Sequence, residues 1–390
     1  MQEHSDDDEQ VQVTLTKHLT LVKELVPLYT GGSFALLKND RHCLALRDQK
    51  ITIFDMEKSK LISTLSQENE EILCFAVSPN QQLLAISNKS YMIRVFALPT
   101  SDIDNLPIEA AFEQLKSFKT TGQMVLELAF DPSSKFLAAG TADSSIKVYD
   151  VAKGFQTHNF TGGHRGIITN LTFFPESDTL LLISSAEDCQ IKVWDLIMRA
   201  EVAHLKGHNA LVTSSTFSND RTTLITCAKD GKLAFWNAKD GFKQLSMFKY
   251  SKTEDELNVV HYLVVDETPY LIVGGASGTL SIFDINNNKI CYTQDKFSPN
   301  EITKVFSFHK FPKVLALNAD QQLTVYAIKA LIDGKKGVQL EQIEQYCLYL
   351  DEIIDVRILE SGDDAPPSKA LICSNNEMLK VVDLGTGSVI

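Results

Sequence analysis

Apolar and polar positions alternate along this chain in short runs, and many runs end in an apolar, apolar, Asp-like triplet. The instances are Ile53-Phe54-Asp55, Val148-Tyr149-Asp150, Val193-Trp194-Asp195, Phe235-Trp236-Asn237, Ile282-Phe283-Asp284 and Val381-Val382-Asp383. Seven residues before the last residue of each stands a turn former: Asp48, Asp143, Asp188, Asp230, Ser277 and Asn376, with Asp320 placed likewise before Ala327. The fixed offset describes a tight turn feeding a strand, because a short polar side chain can bond its own backbone there. Each repeat also carries an earlier alternating strand such as Leu128-Ala129-Phe130, then a small-residue strand such as Phe136-Leu137-Ala138-Ala139-Gly140. A further strand follows the triplet, as in Phe155-Gln156-Thr157-His158-Asn159-Phe160. Extended helical periodicity is absent from the pattern.

The turn positions, with one near Ser90 in the second repeat, recur every forty to fifty-five residues or so, close to the roughly 40–45 of a WD repeat. Eight modules are visible, and four short strands with polar turns make one propeller blade. A lone four-stranded sheet cannot bury both faces, whereas neighbours stacked around an axis cover each other. The expected fold is therefore all-β, a WD-repeat β-propeller of seven or eight four-stranded antiparallel blades. Residues 1–18 are expected to be an acidic disordered tail and residues 19–390 the propeller. The segment Thr20-Leu21-Val22-Lys23-Glu24-Leu25-Val26 precedes the first module and is the candidate strand for closing the ring. Either seven blades close and the eighth module begins another propeller, or eight blades close through the Thr20 strand.

Composition narrows the class. With 44% hydrophobic and 22% charged residues the chain reads as globular, and no apolar run approaches the ~20 residues that span a bilayer. Asp6, Asp7, Asp8 and Glu9 oppose the order of a signal peptide, which places the expected location on the cytosolic or nuclear side. Seven scattered cysteines without a C-x-x-C pair argue against a disulfide framework or a zinc site, and read as buried small hydrophobes. A net charge of -13 opposes broad attraction to phosphate backbones, so any RNA contact is expected to be local or indirect.

One constellation invites an enzymatic reading. Module four contains His164, Ser184, Asp188 and Trp194, and module five repeats the set as His208, Thr226, Asp230 and Trp236. An acid orienting a His beside a hydroxyl is the arrangement that activates a nucleophile. Repetition favours structure instead, since an active site is needed once and a bond pattern is needed in every blade. In that reading the turn Asp accepts from the His, and the ring meets the hydroxyl and the indole. Neither a Gly-x-Ser-x-Gly elbow, a phosphate-binding Gly-rich loop nor a metal-ligand cluster occurs, and no catalytic residue, cofactor or metal is expected.

In its ordered modules the chain resembles the transducin beta-like protein 3 family. The motifs are Val26-Pro27-Leu28-Tyr29-Thr30-Gly31-Gly32 at the start, Ala129-Phe130-Asp131-Pro132-Ser133-Ser134 in module three and Thr157-His158-Asn159-Phe160-Thr161-Gly162 at its close. Module four adds Leu180-Leu181-Leu182-Ile183-Ser184-Ser185-Ala186 and Ile191-Lys192-Val193-Trp194; the eighth adds Ile354-Asp355-Val356-Arg357 and Ser374-Asn375 ahead of Leu379-Lys380-Val381. The module-four motif is generic to WD repeats, while the opening Pro-x-Tyr-x-Gly-Gly with divergent second, sixth and eighth modules is more specific. The resemblance implies a nucleolar subunit of the small-subunit processome that supports cleavage of pre-ribosomal RNA. It implies other WD-repeat and helical subunits as partners, with the small nucleolar ribonucleoprotein and pre-ribosomal RNA contacted indirectly, and the seven-blade ring as the native arrangement. Family members look like tandem propellers followed by a helical domain, whereas this sequence ends at Ile390 in the eighth module, as a fragment or a shortened product would.

Features off the repeat are weaker pointers. Ser5, followed by Asp6-Asp7-Asp8-Glu9, resembles an acidophilic kinase site, against the plainer reading of a solvated terminus. Three insertions lengthen inter-strand links: Pro99 to Pro107 with Asp102 and Asp104, Asp333 to Gly337 with Lys335 and Lys336, and Ser361 to Pro367 with Asp363 and Asp364. Loops on a rigid scaffold are favoured binding places, although most insertions are merely tolerated. Three functions remain in competition: a ribosome-assembly scaffold, a generic adaptor such as a ubiquitin-ligase substrate receptor or signalling propeller, and an unrecognised enzyme.

Overall fold

The turn residues set the architecture. In the computed structural model, Asp131 at one such turn accepts from the backbone N–H of Ser133 and Phe136, at 3.0 and 2.6 Å, and reverses the chain between two strands of one repeat. Repeated along the sequence, such reversals fold consecutive strands into antiparallel meanders. The structure describes residues 29–47, 49–58, 60–65, 70–100, 102–109, 111–176, 178–250, 255–294, 300–320, 322–330, 338–347, 353–359, 369–374 and 379–383.

Seven four-stranded sheets, each built from consecutive strands, make the blades: residues 34–65, 72–119, 125–160, 168–205, 212–249, 257–294 and 302–347. The only helical element among the described residues is the single turn Ile103–Asn105. The two middle strands of a blade read as continuous apolar runs because both of their faces are covered. In blade 3, for instance, Leu137 and Ala139 pack against blade 2, while Ala138 and Val148 between them face blade 4. Every interface between neighbouring blades is filled by one apolar cluster of this kind.

The ring closes between blades 1 and 7. Phe34, Cys43 and Ala45 of blade 1 share a core with Leu315, Leu317, Leu323 and Val325 of blade 7, and the Phe34 and Phe306 rings lie 5.3 Å apart. The fully buried carboxylate of Asp40 accepts from the backbone N–H of His309 and Lys310 at 2.7 and 2.5 Å. Direct packing of blade 1 on blade 7 corrects the eight-blade alternative, since no eighth sheet stands between them. The candidate closing strand, Thr20 to Val26, lies outside the described residues. Residues 353–383 form a separate three-stranded sheet whose strands pair only with one another among the described residues.

Register shifts recur with the repeat. Between the third and fourth strands of all seven blades the pairing skips one residue: Ile62, Leu115, Thr157, Val202, Leu245, Cys291 and Ile343 in turn. Such bulges twist a strand, and here they fall on the seven outer edges, where a flat strand would invite pairing with another chain. A second bulge sits on the innermost strand of blades 2 to 7, at Leu73, Leu126, Thr169, Thr213, Asn258 and Thr303. Three of these residues reach the next blade: Thr169 Oγ1 donates to the Val212 carbonyl at 3.5 Å, Thr213 Oγ1 to the Leu257 carbonyl at 2.8 Å, and Asn258 Nδ2 to Glu301 at 2.9 Å. The same skip, between Ile353 and Asp355, marks the three-stranded sheet as blade-like.

Candidate functional site

The His, hydroxyl, Asp and Trp side chains of blades 4 and 5 meet in two matching chains of bonds. The turn between the second and third strands of blade 4 holds Asp188, whose carboxylate lies 3.1 Å from His164 Nδ1 and also accepts the Arg165 and Gln190 backbone N–H groups. His164 Nε2 stands 2.7 Å from Ser184 Oγ, and Trp194 Nε1 donates to that same oxygen at 2.8 Å. Blade 5 repeats the arrangement: His208 Nδ1 to Asp230 at 3.2 Å, His208 Nε2 to Thr226 at 2.9 Å, and Trp236 Nε1 to Thr226 at 3.0 Å.

One protonation pattern satisfies every atom. A neutral imidazole gives its Nδ1–H to the Asp and accepts the hydroxyl proton at Nε2, leaving the hydroxyl oxygen to take the indole N–H. Burial holds the His164 pKa below its ordinary value against the opposing pull of Asp188, which keeps the ring in this neutral state. Burial alone would raise Asp230, but bonds from His208 and from the backbone of Asn209 and Lys232 hold it below the usual carboxylate range. The Ser184 and Thr226 hydroxyls have no exposed surface and are already bonded on both sides, so neither can reach a substrate.

The same link, between the loop entering a blade and the turn between its middle strands, recurs with other residue types. In blade 6 the roles reverse: Asp255 stands at the entering loop and accepts from Ser277 N and Oγ at 3.0 and 2.5 Å. Asn300 bonds Asp320 in blade 7, and Asn88 bonds Glu70 in blade 2, where Arg94 adds a 2.8 Å ion pair. In blade 3 Asp143 is satisfied locally by Thr141 and Ser145, and Tyr149, in the place of the Trp, has a buried hydroxyl without a hydrogen-bond partner among the described residues. Sequence reading found the His-containing pairs and missed the others; a pair of polar residues about twenty apart was the available signal.

The insertion in blade 2 folds back on blade 1. Thr64 N, on the outermost strand of blade 1, donates to the Ile108 carbonyl at 2.7 Å, and Ile103, Leu106 and Phe112 join the core between the two blades. Asp104 is held by Arg41 Nη2 at 2.9 Å and by His42 Nε2 at 3.2 Å, while Asp102 is exposed. His42, Asp55 and Asp104 have donor atoms close enough to hold an ion, but the Arg41 guanidinium already bridges the two carboxylates, which suits a strap better than a cation. Lys335, Lys336, Asp363, Asp364 and Ser5 lie outside the described residues. The five cysteines whose side chains are described are free thiols, and burial pushes those of Cys74 and Cys227 up to about 12.

Across the axis, Glu127 on the innermost strand of blade 3 feels the charge of Lys304 on that of blade 7. Burial raises the Glu127 carboxyl to about 7 against this pull, and depresses the Lys304 ammonium. No helix of the described residues is long and apolar enough to cross a membrane.

Seven meandering sheets, closed face to face and tied by loop-to-turn polar links, define the class: a WD-repeat β-propeller that presents rims, edges and loops. By its match over residues 29–233 the chain belongs to the β-propeller family described as Nucleolar protein 10-like, N-terminal domain. It is also similar to transducin beta-like protein 3 of Rattus norvegicus, 29% identical over 379 residues, and of Homo sapiens, 27% identical over 374 residues. These alignments cover 93% and 94% of the chain but 44% and 43% of the relatives, so the chain spans less than half their length. The resemblance read from the sequence motifs is thus borne out over nearly the whole chain. Among solved structures, the computationally designed Ika8 protein matches with a TM-score of 0.62 at 18% identity, over 93% of this chain and 99% of that one, a likeness of fold.

Proposed function

We propose that this protein is a non-catalytic scaffold of ribosome assembly, a subunit of the small-subunit processome that supports pre-ribosomal RNA processing in the nucleolus. The observation that carries the reading is the similarity to transducin beta-like protein 3 across 93% of the chain, joined by membership of a family named for a nucleolar protein. The geometry is compatible with it, because the hydroxyl, His and Asp sets of blades 4 and 5 are buried in duplicate and the exposed surface is made of turns, edges and insertions. Other WD-repeat and helical subunits are the expected partners. With a net charge of -13, contact with the small nucleolar ribonucleoprotein and pre-ribosomal RNA is expected to pass through them. The blade-like sheet at 353–383 is, in this reading, the opening of a further propeller. The tetrads are structural in the same reading.

The propeller fold by itself leaves partners open. Mass spectrometry of proteins retained on a tagged copy from nuclear extract tests the proposal: processome subunits support it, whereas cullin or signalling partners transfer the chain to the generic adaptor class.

A further inference from the structure

Five blades join their third and fourth strands by a short capped turn, of four residues in blades 1, 3, 4 and 6 and of five in blade 5. An Asp or Asn side chain at its start accepts from the backbone N–H at the tip: Asp55 from Lys58, Asp150 from Lys153, Asp195 from Ile197 and Met198, Asn237 from Lys239, and Asp284 from Asn287, at 2.7–3.1 Å. The turn is thus set by its capping oxygen and leaves the two tip side chains in water. Four of the five tips are polar or small, namely Glu57-Lys58, Ala152-Lys153, Lys239-Asp240 and Asn286-Asn287. Blade 4 alone carries two large apolar residues there, Ile197 and Met198, and they are 67% and 71% exposed. The turn does not need them, as the other blades demonstrate.

A third apolar side chain joins them by the same departure. The fourth strand of these blades opens with Lys60, Phe155, Ala200, Lys243 and Lys289, and Phe155 of blade 3 is half exposed where three of its counterparts are lysines. Phe155 stands opposite Asp150, hence on the face of blade 3 that carries Val148 and packs against blade 4. Farther along that strand, on the same face, His158 Nε2 lies 2.7 Å from the Leu196 carbonyl, at the start of the Ile197 turn. The three apolar side chains therefore share the rim between blades 3 and 4.

Of the three exposed cations at this rim, Lys135 and Arg199 are held by no carboxylate among the described residues, whereas Lys153 is paired with Asp150. Lys135, Lys153 and Arg199 are exposed, and the Lys135 carbonyl receives the Val151 N–H, which fixes that lysine beside the blade 3 turn. The carboxylates in the same turns are occupied, Asp195 by its two backbone N–H groups and Asp150 by Lys153 N at 2.8 Å with a 3.6 Å ion pair to Lys153 Nζ. Glu176 and Asp178 of the neighbouring turn are likewise partnered, Glu176 by Arg221 at 3.7 Å.

We infer that the rim between blades 3 and 4 is a docking site for an acidic, apolar-anchored segment of a partner protein, with Phe155, Ile197 and Met198 taking the anchors and Lys135 and Arg199 the flanking carboxylates. Exposed apolar clusters rimmed by charge mark such sites, and Met suits them by its adaptable shape. The inference needs a protein partner only, and is independent of whether that partner acts in ribosome assembly.

Short random peptides displayed on phage, selected on the full chain, test it. The counter-selecting protein carries Ile197→Asn with Met198→Asn, which transplants the tip of the blade 6 turn and so preserves the fold; Phe155→Lys, the residue type of blades 1, 5 and 6, is the second variant. The expected peptides combine bulky apolar residues with Asp or Glu, bind more weakly as salt is raised, and lose at least about tenfold in affinity for either variant. Unchanged melting of the variants shows that the loss is local. Peptides that bind wild type and both variants within about twofold, or selected sequences without acidic residues, overturn the inference. So does a dimer of the wild-type chain in sedimentation that Ile197→Asn with Met198→Asn abolishes, since the occupant is then a second copy.

Discussion

Replacing Ser184 by Ala removes one oxygen and leaves two buried partners without their bond: the Trp194 indole N–H at 2.8 Å and His164 Nε2 at 2.7 Å. The side chain has no exposed surface, so water does not substitute for the hydroxyl. A buried donor left unsatisfied costs about 1–3 kcal/mol, and an acceptor a similar amount, while the volume change is small. Relaxation of the indole recovers part of this, and the expected loss is about 2–4 kcal/mol. Thr226→Ala in blade 5 costs more, because a buried methyl goes as well. The chain has two tryptophans, Trp194 and Trp236, one in each tetrad, so urea unfolding followed by their fluorescence reports these two blades directly. Trp236→Phe isolates the blade 4 signal. A chain of stacked blades need not unfold in one step, and fluorescence confined to blade 4 reads the local transition that matters. If Ser184→Ala shifts the blade 4 transition by less than about 0.5 kcal/mol, the hydroxyl is not the hub that the geometry makes it.

Three further perturbations follow from the same structure. Asp40→Ala strips the acceptor from the seam between blades 1 and 7 and places Ala at φ 61°, so it should destabilise by about 2–3 kcal/mol and speed amide exchange at 309–310; unchanged exchange would refute the latch. Gly163→Ala drives a Cβ into the rigid Trp194 indole, whereas at Gly207 the nearest atom is the flexible Met247 Cε at 2.6 Å; melting should fall much further for the first, and equal melting would count against the packing described. His261, bonded to Ser307 at 2.9 Å, is depressed by burial from 6.5 to about 4, and His164 is depressed too. Both stay neutral on folding, so their contribution to stability is fullest above pH 6.5 and is lost as pH falls toward 4, by at most about 3 kcal/mol for His261, a loss that His261→Gln should reduce in pH-dependent unfolding.

Local chemistry was legible in the sequence and distant pairing was not. The triplets with their seven-residue offset exposed the blades because turn and strand lie next to each other in the chain. The tetrads of blades 4 and 5 were readable because His, hydroxyl, Asp and Trp are distinctive types. Asp255 with Ser277 makes the same loop-to-turn link at a separation of 22 residues, as His208 and Asp230 do, yet ordinary residue types with donor and acceptor exchanged gave no motif to recognise. Asp104 read as a free loop carboxylate because its partner, Arg41, is 63 residues away. Ring closure is the extreme case, with Asp40 and His309 separated by 269 residues, and nothing near either residue announces the other. The apolar tip at Ile197 and Met198 stands out only after the turns of five blades are superposed in register.

The proposed role of this propeller is to support small-subunit assembly through contact rather than chemistry. Depletion of the cellular protein, followed by hybridisation blots of precursor and mature ribosomal RNAs and by microscopy of the tagged chain, tests it most directly. The account predicts a nucleolar signal, accumulation of unprocessed precursor and loss of mature small-subunit RNA, with large-subunit RNA affected less, and rescue by Ser184→Ala protein at a temperature where it stays folded. Normal small-subunit precursors together with a diffuse cytoplasmic signal would contradict it.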